Sequence, residues 1–472
     1  MLISDFSELS RQQCQSARLS RDSRFDGHFY TAVKTTGIFC RPICPANPPH
    51  EKNVEYFGNQ AQALQAGYRP CLRCRPDSAP SSSAWKSVET TFQRALNLIN
   101  SDNLENNSLT SLADRLGISD RYLRQLFQQY IGMSPKQYMQ YQQLMFAKQL
   151  LHSSNMSITE IAFSSGFNSI RRFNDAFKKK LKLTPRAARK ESRTDDIGSN
   201  ITIKKQLKLS YRPPFNWQYL LDFYRKRAIK GIEDVGDDYY YRTFATEHYK
   251  GWFRARLSTK NTLSIEFDID DITQLKSLVS QIRRLFDLDA DIAVIEQHLK
   301  QTAIAPLMSE GLRIPGAWSH WEAGIRAIFG QQISIVAAIT MLNGFVEALN
   351  NNSGQTPYFP TPEDVANSDL SFLKMPQKRK DTLKRFALYM VDHFDAEPDE
   401  WIELKGIGPW TINYAKLRGQ SEPDCFLSTD LVIKKAIAAL DRTTQVQDIN
   451  LLTADLSPWG SYATFNCWNS QS

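Results

Sequence analysis

Residues 157–189 read SITEIAFSSGFNSIRRFNDAFKKKLKLTPRAAR, and an earlier stretch of the chain follows the same plan. Leu112-Ala113 followed by Gly117 matches Ile161-Ala162 followed by Gly166, 49 residues on. Phe127 and Ser134-Pro135 match Phe177 and Thr184-Pro185, 50 residues on, so the second copy has gained one residue. In the first copy Ala113, Gly117 and Leu123 have the spacing of a helix-turn-helix: a small residue where two helices cross, a glycine at the turn, and an apolar residue locking the second helix. Ala162 and Gly166 repeat it. A generic helical bundle can produce one such spacing; two copies in register predict a double helix-turn-helix, all α, over residues 85–190.

Around this centre, 472 residues are too many for one hydrophobic core and call for several modules. The small-residue stretch Ser78-Ala79-Pro80-Ser81-Ser82-Ser83 reads as a linker closing a first module, and ESRTDDIGSN (191–200) as a second linker. Beyond it ITIKKQLKLSY, FATEHYKGWFRARLS and TLSIEFDI alternate apolar and polar residues as strands do, and from Ile272 helical periodicity dominates. The expected architecture is multidomain and mainly α with α/β parts. A small cysteine-rich domain (1–80) and the double helix-turn-helix (85–190) precede an α/β subdomain (201–310) and an all-α domain (311–472).

Hydrophobic residues at 42% and charged residues at 23% exclude a disordered chain, and no uninterrupted apolar run is long enough for a bilayer span. The N-terminus MLISDFSELSRQQCQ has no basic lead into an apolar run, so a cytoplasmic location is expected. A net charge of +8 favours a polyanionic partner, although ordinary soluble enzymes carry such an excess too. Four of the seven cysteines, Cys40 and Cys44 in GIFCRPIC and Cys71 and Cys74 in RPCLRCRP, form C-x3-C and C-x2-C pairs suited to tetrahedral zinc. Spacing alone favours a purely structural zinc site and leaves open a reactive thiolate.

The segment FYTAVKTTGIFCRPICPA (29–46), with NVEYF and ALQAGYRPCLRCRPD (63–77), resembles the N-terminal domain of the Ada family. That resemblance implies Zn²⁺ held by Cys40, Cys44, Cys71 and Cys74, with Cys40 as the nucleophile accepting a methyl group from a DNA methylphosphotriester. Arg41, Arg69, Arg73 and Arg75 flank the cysteines and could seat phosphates; solvated surface arginines are the equally good alternative. Residues 157–189 resemble the signature of AraC-family regulators, implying recognition helices at Ser119 to Gln128 and Ser169 to Phe177 in successive major grooves. Arg171, Arg172, Lys178 and Lys179 then become DNA-contacting candidates. The family's usual glycine before Thr-Pro is here replaced by Leu183, preceded by Lys182.

In the C-terminal half, LKGIGPWTINY (404–414) places Gly406 and Gly408 in a turn between short helices, whose amides can hold a DNA phosphate. Asp430 in CFLSTDLVIKKA sits at the start of a helix, where a plain N-cap is the ordinary explanation. Together with YRPPFNWQYLLDF, DYYYRTF, AGIRAIFGQQIS and PWGSYA, these stretches resemble the AlkA-type 3-methyladenine DNA glycosylase II of the helix-hairpin-helix superfamily. The likeness implies a catalytic Asp430, an aromatic base pocket of Trp410, Tyr414, Phe223 and Trp468, and Gln332 where that family has a leucine wedge. Leu431 stands in place of a pocket tyrosine. Trp410 occupies the position of the lysine of bifunctional members, so a monofunctional enzyme is implied.

The reading is therefore alkylation repair joined to its regulation: glycosidic hydrolysis at alkylated bases, stoichiometric methyl transfer, and sequence-specific activation of transcription. The expected partners are alkylated and promoter double-stranded DNA and RNA polymerase, with no membrane and a nucleoid-associated bacterial location. The alternative is a regulator whose C-terminal half binds damaged DNA without catalysis. Direct O6-methylguanine repair is set aside, because no Pro-Cys-His-Arg motif occurs.

Overall fold

The computed structural model describes residues 10–20, 29–42, 44, 46–58, 62–63, 66–71, 74, 92, 95–96, 99, 109–130, 132–192, 205–258, 261–350, 356–444 and 449–471. The first expected linker, all but two residues of the second, Arg73 and Arg75 lie outside them. The chain divides into two compact units, residues 1–140 and 141–472.

The first unit opens with helix α1 (Arg11–Ser20) and a four-stranded sheet, order β3-β1-β2-β4, made of β1 (Tyr30–Val33), β2 (Ile38–Cys40), β3 (Val54–Phe57) and β4 (Arg69–Pro70). The β1–β2 turn closes at Gly37, whose φ of 64° suits glycine. Tyr30, Ala32 and Phe39 alternate inward to a small core with Ala63. Helices α2 (Leu109–Leu116) and α3 (Asp120–Tyr130) carry the first copy of the repeat. Ala113 and Leu123 are buried and Gly117 takes a φ of 66°, as the motif requires.

Helix α4 spans Pro135–Ser153, and α5 (Ile158–Ser164), α6 (Ile170–Leu181) and α7 (Pro185–Ser192) form the second copy. A capping box between Ser157 and Glu160 starts α5, and the Ser169 hydroxyl caps α6. Helix α6 runs past Phe177, so Lys178, Lys179 and Lys180 fall on its last turn, where they complement the helix dipole. The left-handed residue that ends α6 is Lys182 (φ 61°), not Leu183; its counterpart in the first copy is Gly132 (φ 73°). Ile161, Ala162, Phe173 and Phe177 belong to one continuous core with Leu207, Leu209 and Phe253 of the following sheet.

That sheet has five antiparallel strands in the order β5-β9-β8-β7-β6: β5 (Gln206–Ser210), β6 (Glu233–Val235), β7 (Tyr239–Ala245), β8 (Lys250–Leu257) and β9 (Thr262–Ile269). FATEHYKGWFRARLS is thus a hairpin, since β7 ends at Ala245 and the chain turns between Thr246 and Tyr249. Helices α8 (Trp217–Arg225), α9 (Leu275–Leu285) and α10 (Ile292–Leu299) complete this layer. An all-helical part follows: α11 (His320–Gly330), α12 (Ile335–Leu349), α13 (Pro362–Asn367), α14 (Gln377–Asp392), α15 (Pro409–Ala415), α16 (Leu431–Thr444), α17 (Ile449–Leu456) and α18 (Gly460–Asn469).

Four buried charges join sheet to helices. Arg242 of β7 donates to Glu233 (3.0 Å) and to both carboxylate oxygens of Glu322, and Arg326 donates to Glu322 (2.8 Å) and Glu233 (2.8 Å). Tyr240 adds a hydrogen bond to Glu233 (2.7 Å). Two guanidiniums facing two carboxylates neutralise each other, which is how such groups survive out of water.

Candidate functional site

Strands β2 and β4 run parallel, pairing Phe39 with Pro70, and the Cys71 amide donates to the Phe39 carbonyl (3.0 Å). This brings Cys40 and Cys71, each one residue beyond the paired positions, side by side. The turn after β2, closed by the Cys44 amide on the Arg41 carbonyl (3.1 Å), folds Cys44 back, and the Arg41 amide donates to Cys74 Sγ (3.4 Å). All four sulfurs lie within 4.8 Å of one another. Sulfurs about 2.3 Å from a shared zinc would stand about 3.8 Å apart, so the cluster suits that ion. The thiols compete for protons: hydrogen bonding to Cys44 pushes Cys40 up, and hydrogen bonding from Cys40 brings Cys44 down. A divalent cation removes that conflict. Cys40 is half-buried and Cys74 buried. Arg69 is exposed and Arg41 half-buried.

On α6, Arg171 and Arg172 occupy the first turn, and with Lys178 and Lys179 they are exposed. Cations in a first turn oppose the helix dipole, so these two arginines are not there for the helix.

In the helical part, the turn from Leu404 to Gly408 leads into α15. Gly406 has a φ of 100°, and a Cβ on it would stand 2.1 Å from Thr382 Oγ1; Gly408 has open space around its Cα. The Gln331 side chain donates to the Gly406 carbonyl (3.2 Å) and Thr411 (3.3 Å), fixing the α11–α12 turn on the hairpin. Gln332 follows, exposed and left-handed at φ 58°.

Asp430 is the expected N-cap and more. Its Oδ1 accepts from the amides of Val432 (2.9 Å) and Ile433 (3.3 Å) at the head of α16. The same Oδ1 accepts from the Trp468 indole (3.2 Å), and Oδ2 accepts from the Trp410 indole (3.2 Å). Trp410 stacks on Tyr414 with ring centroids 5.2 Å apart, and Tyr414 stands 6.3 Å from Trp468. These three rings and Asp430 are half-buried and gather on one spot. Phe223 lies a layer deeper, reached through Phe465, with the Arg227 guanidinium 3.8 Å from its ring centroid. Leu431 is exposed.

Three residues here escaped the sequence reading. Arg418, four residues after Tyr414, donates to its hydroxyl (2.9 Å); Arg227 covers Phe223; Gln331 ties down the turn. The i to i+4 spacing signals Arg418 beside Tyr414 and Arg227 over Phe223, whereas Gln331 meets its partners only through long-range packing.

The model of the metal binding domain of Ada matches residues 13–77, that of a helix-turn-helix domain 112–191, and that of the AlkA N-terminal domain 206–319. Over 97% of its length the chain is 32% identical to 96% of a probable bifunctional transcriptional activator/DNA repair enzyme AlkA of Mycobacterium tuberculosis. It is 31% identical to DNA-3-methyladenine glycosylase 2 of Escherichia coli over 56% of this chain and 96% of that one. A bifunctional transcriptional activator/DNA repair enzyme AdaA of Bacillus subtilis is 32% identical over 41% of this chain and 90% of its own.

Proposed function

The chain belongs to the family of bifunctional transcriptional activator/DNA repair enzymes of the AlkA type, and from that premise we propose that it is a monofunctional glycosylase for alkylated bases such as 3-methyladenine, fused to a methyl-accepting, DNA-reading regulator. The observation that carries the catalytic reading is Asp430, a helix-capping carboxylate whose two oxygens also take indole hydrogen bonds from an aromatic cluster. An alkylated purine is cationic and leaves readily, so the enzyme must expose the nucleotide, stack the base and stabilise a cationic sugar. Trp410, Tyr414 and Trp468 provide π faces on which a charged base is favoured, Phe223 backs them, and Asp430 supplies the negative charge. Gly406 and Gly408 place backbone amides for a phosphate, and Gln332 projects toward the duplex.

Cys40, Cys44, Cys71 and Cys74 hold zinc, which when bound keeps their sulfurs ionised near neutral pH. Cys40 attacks the methyl carbon in line; the carbon–oxygen bond breaks and a phosphodiester leaves. Arg171 and Arg172, with Lys178 and Lys179, seat α6 on DNA, α3 being the other recognition helix. Among the described residues no helix is long and apolar enough to cross a membrane; the site of action is the bacterial cytoplasm, at the nucleoid, with promoter DNA and RNA polymerase as partners.

The test is base release from methylated duplex DNA. Free 3-methyladenine with abasic, uncut strands is expected. Binding without release would favour the non-catalytic regulator, and borohydride trapping of a protein–DNA adduct would contradict a monofunctional enzyme.

A further inference from the structure

Arg418 is a buried cation. Its Nε donates to the Pro315 carbonyl (2.9 Å), Nη2 to the Gly316 carbonyl (3.1 Å) and Nη1 to the Tyr414 hydroxyl (2.9 Å). It is 2% exposed, and among the described residues no carboxylate pairs with it. A guanidinium can only donate, so the phenol oxygen is the acceptor and its own proton must point elsewhere. Among the described residues that proton has no acceptor. The π-helical turn Lys416–Gln420 that aims Arg418 is itself clamped, since Arg284 donates to the carbonyls of Arg418 (3.4 Å) and Gly419 (2.6 Å).

We infer that the Tyr414 hydroxyl is an acid of the glycosylase site, giving its proton to the departing base, and that Arg418 positions it and receives the resulting phenolate. This rests on the reading of Asp430 as the glycosylase carboxylate. The two groups have different tasks. A cationic alkylated purine departs as a neutral molecule and needs no proton. A neutral damaged purine departs as an anion unless it is protonated, and for such a base the acid governs the rate. As the bond from C1′ to the base nitrogen breaks, its electron pair stays on the base and the base takes the Tyr414 proton. Water then adds its hydroxyl to C1′, and its remaining proton restores the phenol. Asp430 stays ionised throughout, facing the sugar.

The surroundings of Tyr414 agree. Burial pushes a phenol up, but the guanidiniums of Arg418 and Arg227, with Arg326 farther away, more than offset this and hold Tyr414 below the ordinary phenol value. Asp430 bonds to the Trp410 indole, the ring on which Tyr414 stacks, and makes no hydrogen bond to the Tyr414 hydroxyl among the described residues.

The experiment compares single-turnover release from a duplex bearing one hypoxanthine, a neutral base, with one bearing 7-methylguanine, a cationic base. Wild-type full chain and Tyr414→Phe are both measured from pH 6 to 9. The substitution keeps the stacked ring, and release of 7-methylguanine reports that the pocket is intact. Expected is a loss of at least about 100-fold on hypoxanthine, the scale of general acid catalysis, and a loss on 7-methylguanine smaller by at least about tenfold. Toward alkaline pH the hypoxanthine rate should fall more steeply for wild type than for Tyr414→Phe, which has no phenol to titrate. Equal losses on both bases, an unchanged hypoxanthine rate, or wild-type protein that releases only 7-methylguanine would overturn the inference. Release of neither base, and no 3-methyladenine from methylated duplex DNA, would remove the glycosylase reading itself.

Discussion

Replacing Asp430 by Asn separates its two duties. The carboxylate Oδ1 accepts from Trp468 and from the two helix amides, whereas Oδ2 accepts from Trp410. An asparagine whose carbonyl takes the Oδ1 position keeps the cap, because Asn caps as well as Asp. Its amide nitrogen then faces the Trp410 indole donor, and that hydrogen bond is lost, at about 1–2 kcal/mol. The catalytic cost is larger. A unit charge about 4 Å from a cationic sugar, at an effective dielectric of about 20, is worth about 4 kcal/mol, or roughly a thousandfold in rate. Asp430→Asn should therefore bind abasic-site DNA within a fewfold of wild type, unfold only slightly earlier, and release 3-methyladenine about 1000-fold more slowly. The assay is single-turnover base release beside chemical denaturation of the same preparation. A rate within tenfold of wild type in a folded variant would refute the electrostatic role and leave Asp430 a helix cap.

Lys182 holds a left-handed conformation at the end of α6, so Lys182→Gly should stabilise the chain by about 1 kcal/mol, read from the denaturation midpoint; no gain would mean the strain is relieved by contacts of the lysine. Asp287 is pushed up to about 6, chiefly by burial and against hydrogen bonds from Tyr462 and the Ile314 amide. A carboxyl raised in the folded state costs nothing below about pH 4 and destabilises as pH rises through 6, by about 3 kcal/mol at pH 7. Asp287→Asn should thus be more stable than wild type at pH 7 and equal to it near pH 4; a gain of the same size at both would disprove the linkage. Metal analysis of the full chain should find one zinc, and Cys40→Ala should abolish phosphotriester methyl transfer while base excision persists. Loss of both activities would show that the two sites depend on each other.

The double helix-turn-helix was legible because its glycines and buried apolar residues are local requirements repeated 49 to 50 residues apart. The cysteine pairs were legible because a closed thiolate site leaves few alternatives. Asp430 was legible as a cap from its place before α16, but its indole partners come from α15 and α18, 20 and 38 residues away. Glu233, Arg242, Glu322 and Arg326 meet only once β6 and β7 pack on α11. No periodicity announces such long-range pairings. The hairpin inside FATEHYKGWFRARLS was missed because its turn, Thr246 to Tyr249, has neither glycine nor proline to mark it.

The second helix-turn-helix copy and the sheet of the glycosylase half share one apolar core, with Phe173 and Phe177 in the same cluster as Leu207 and Leu209. A copy of the protein whose α6 is seated at an operator has therefore parked its base-excising half there as well. Promoter occupancy and lesion search draw on one pool of molecules, so each copy recruited to transcription is withdrawn from patrol.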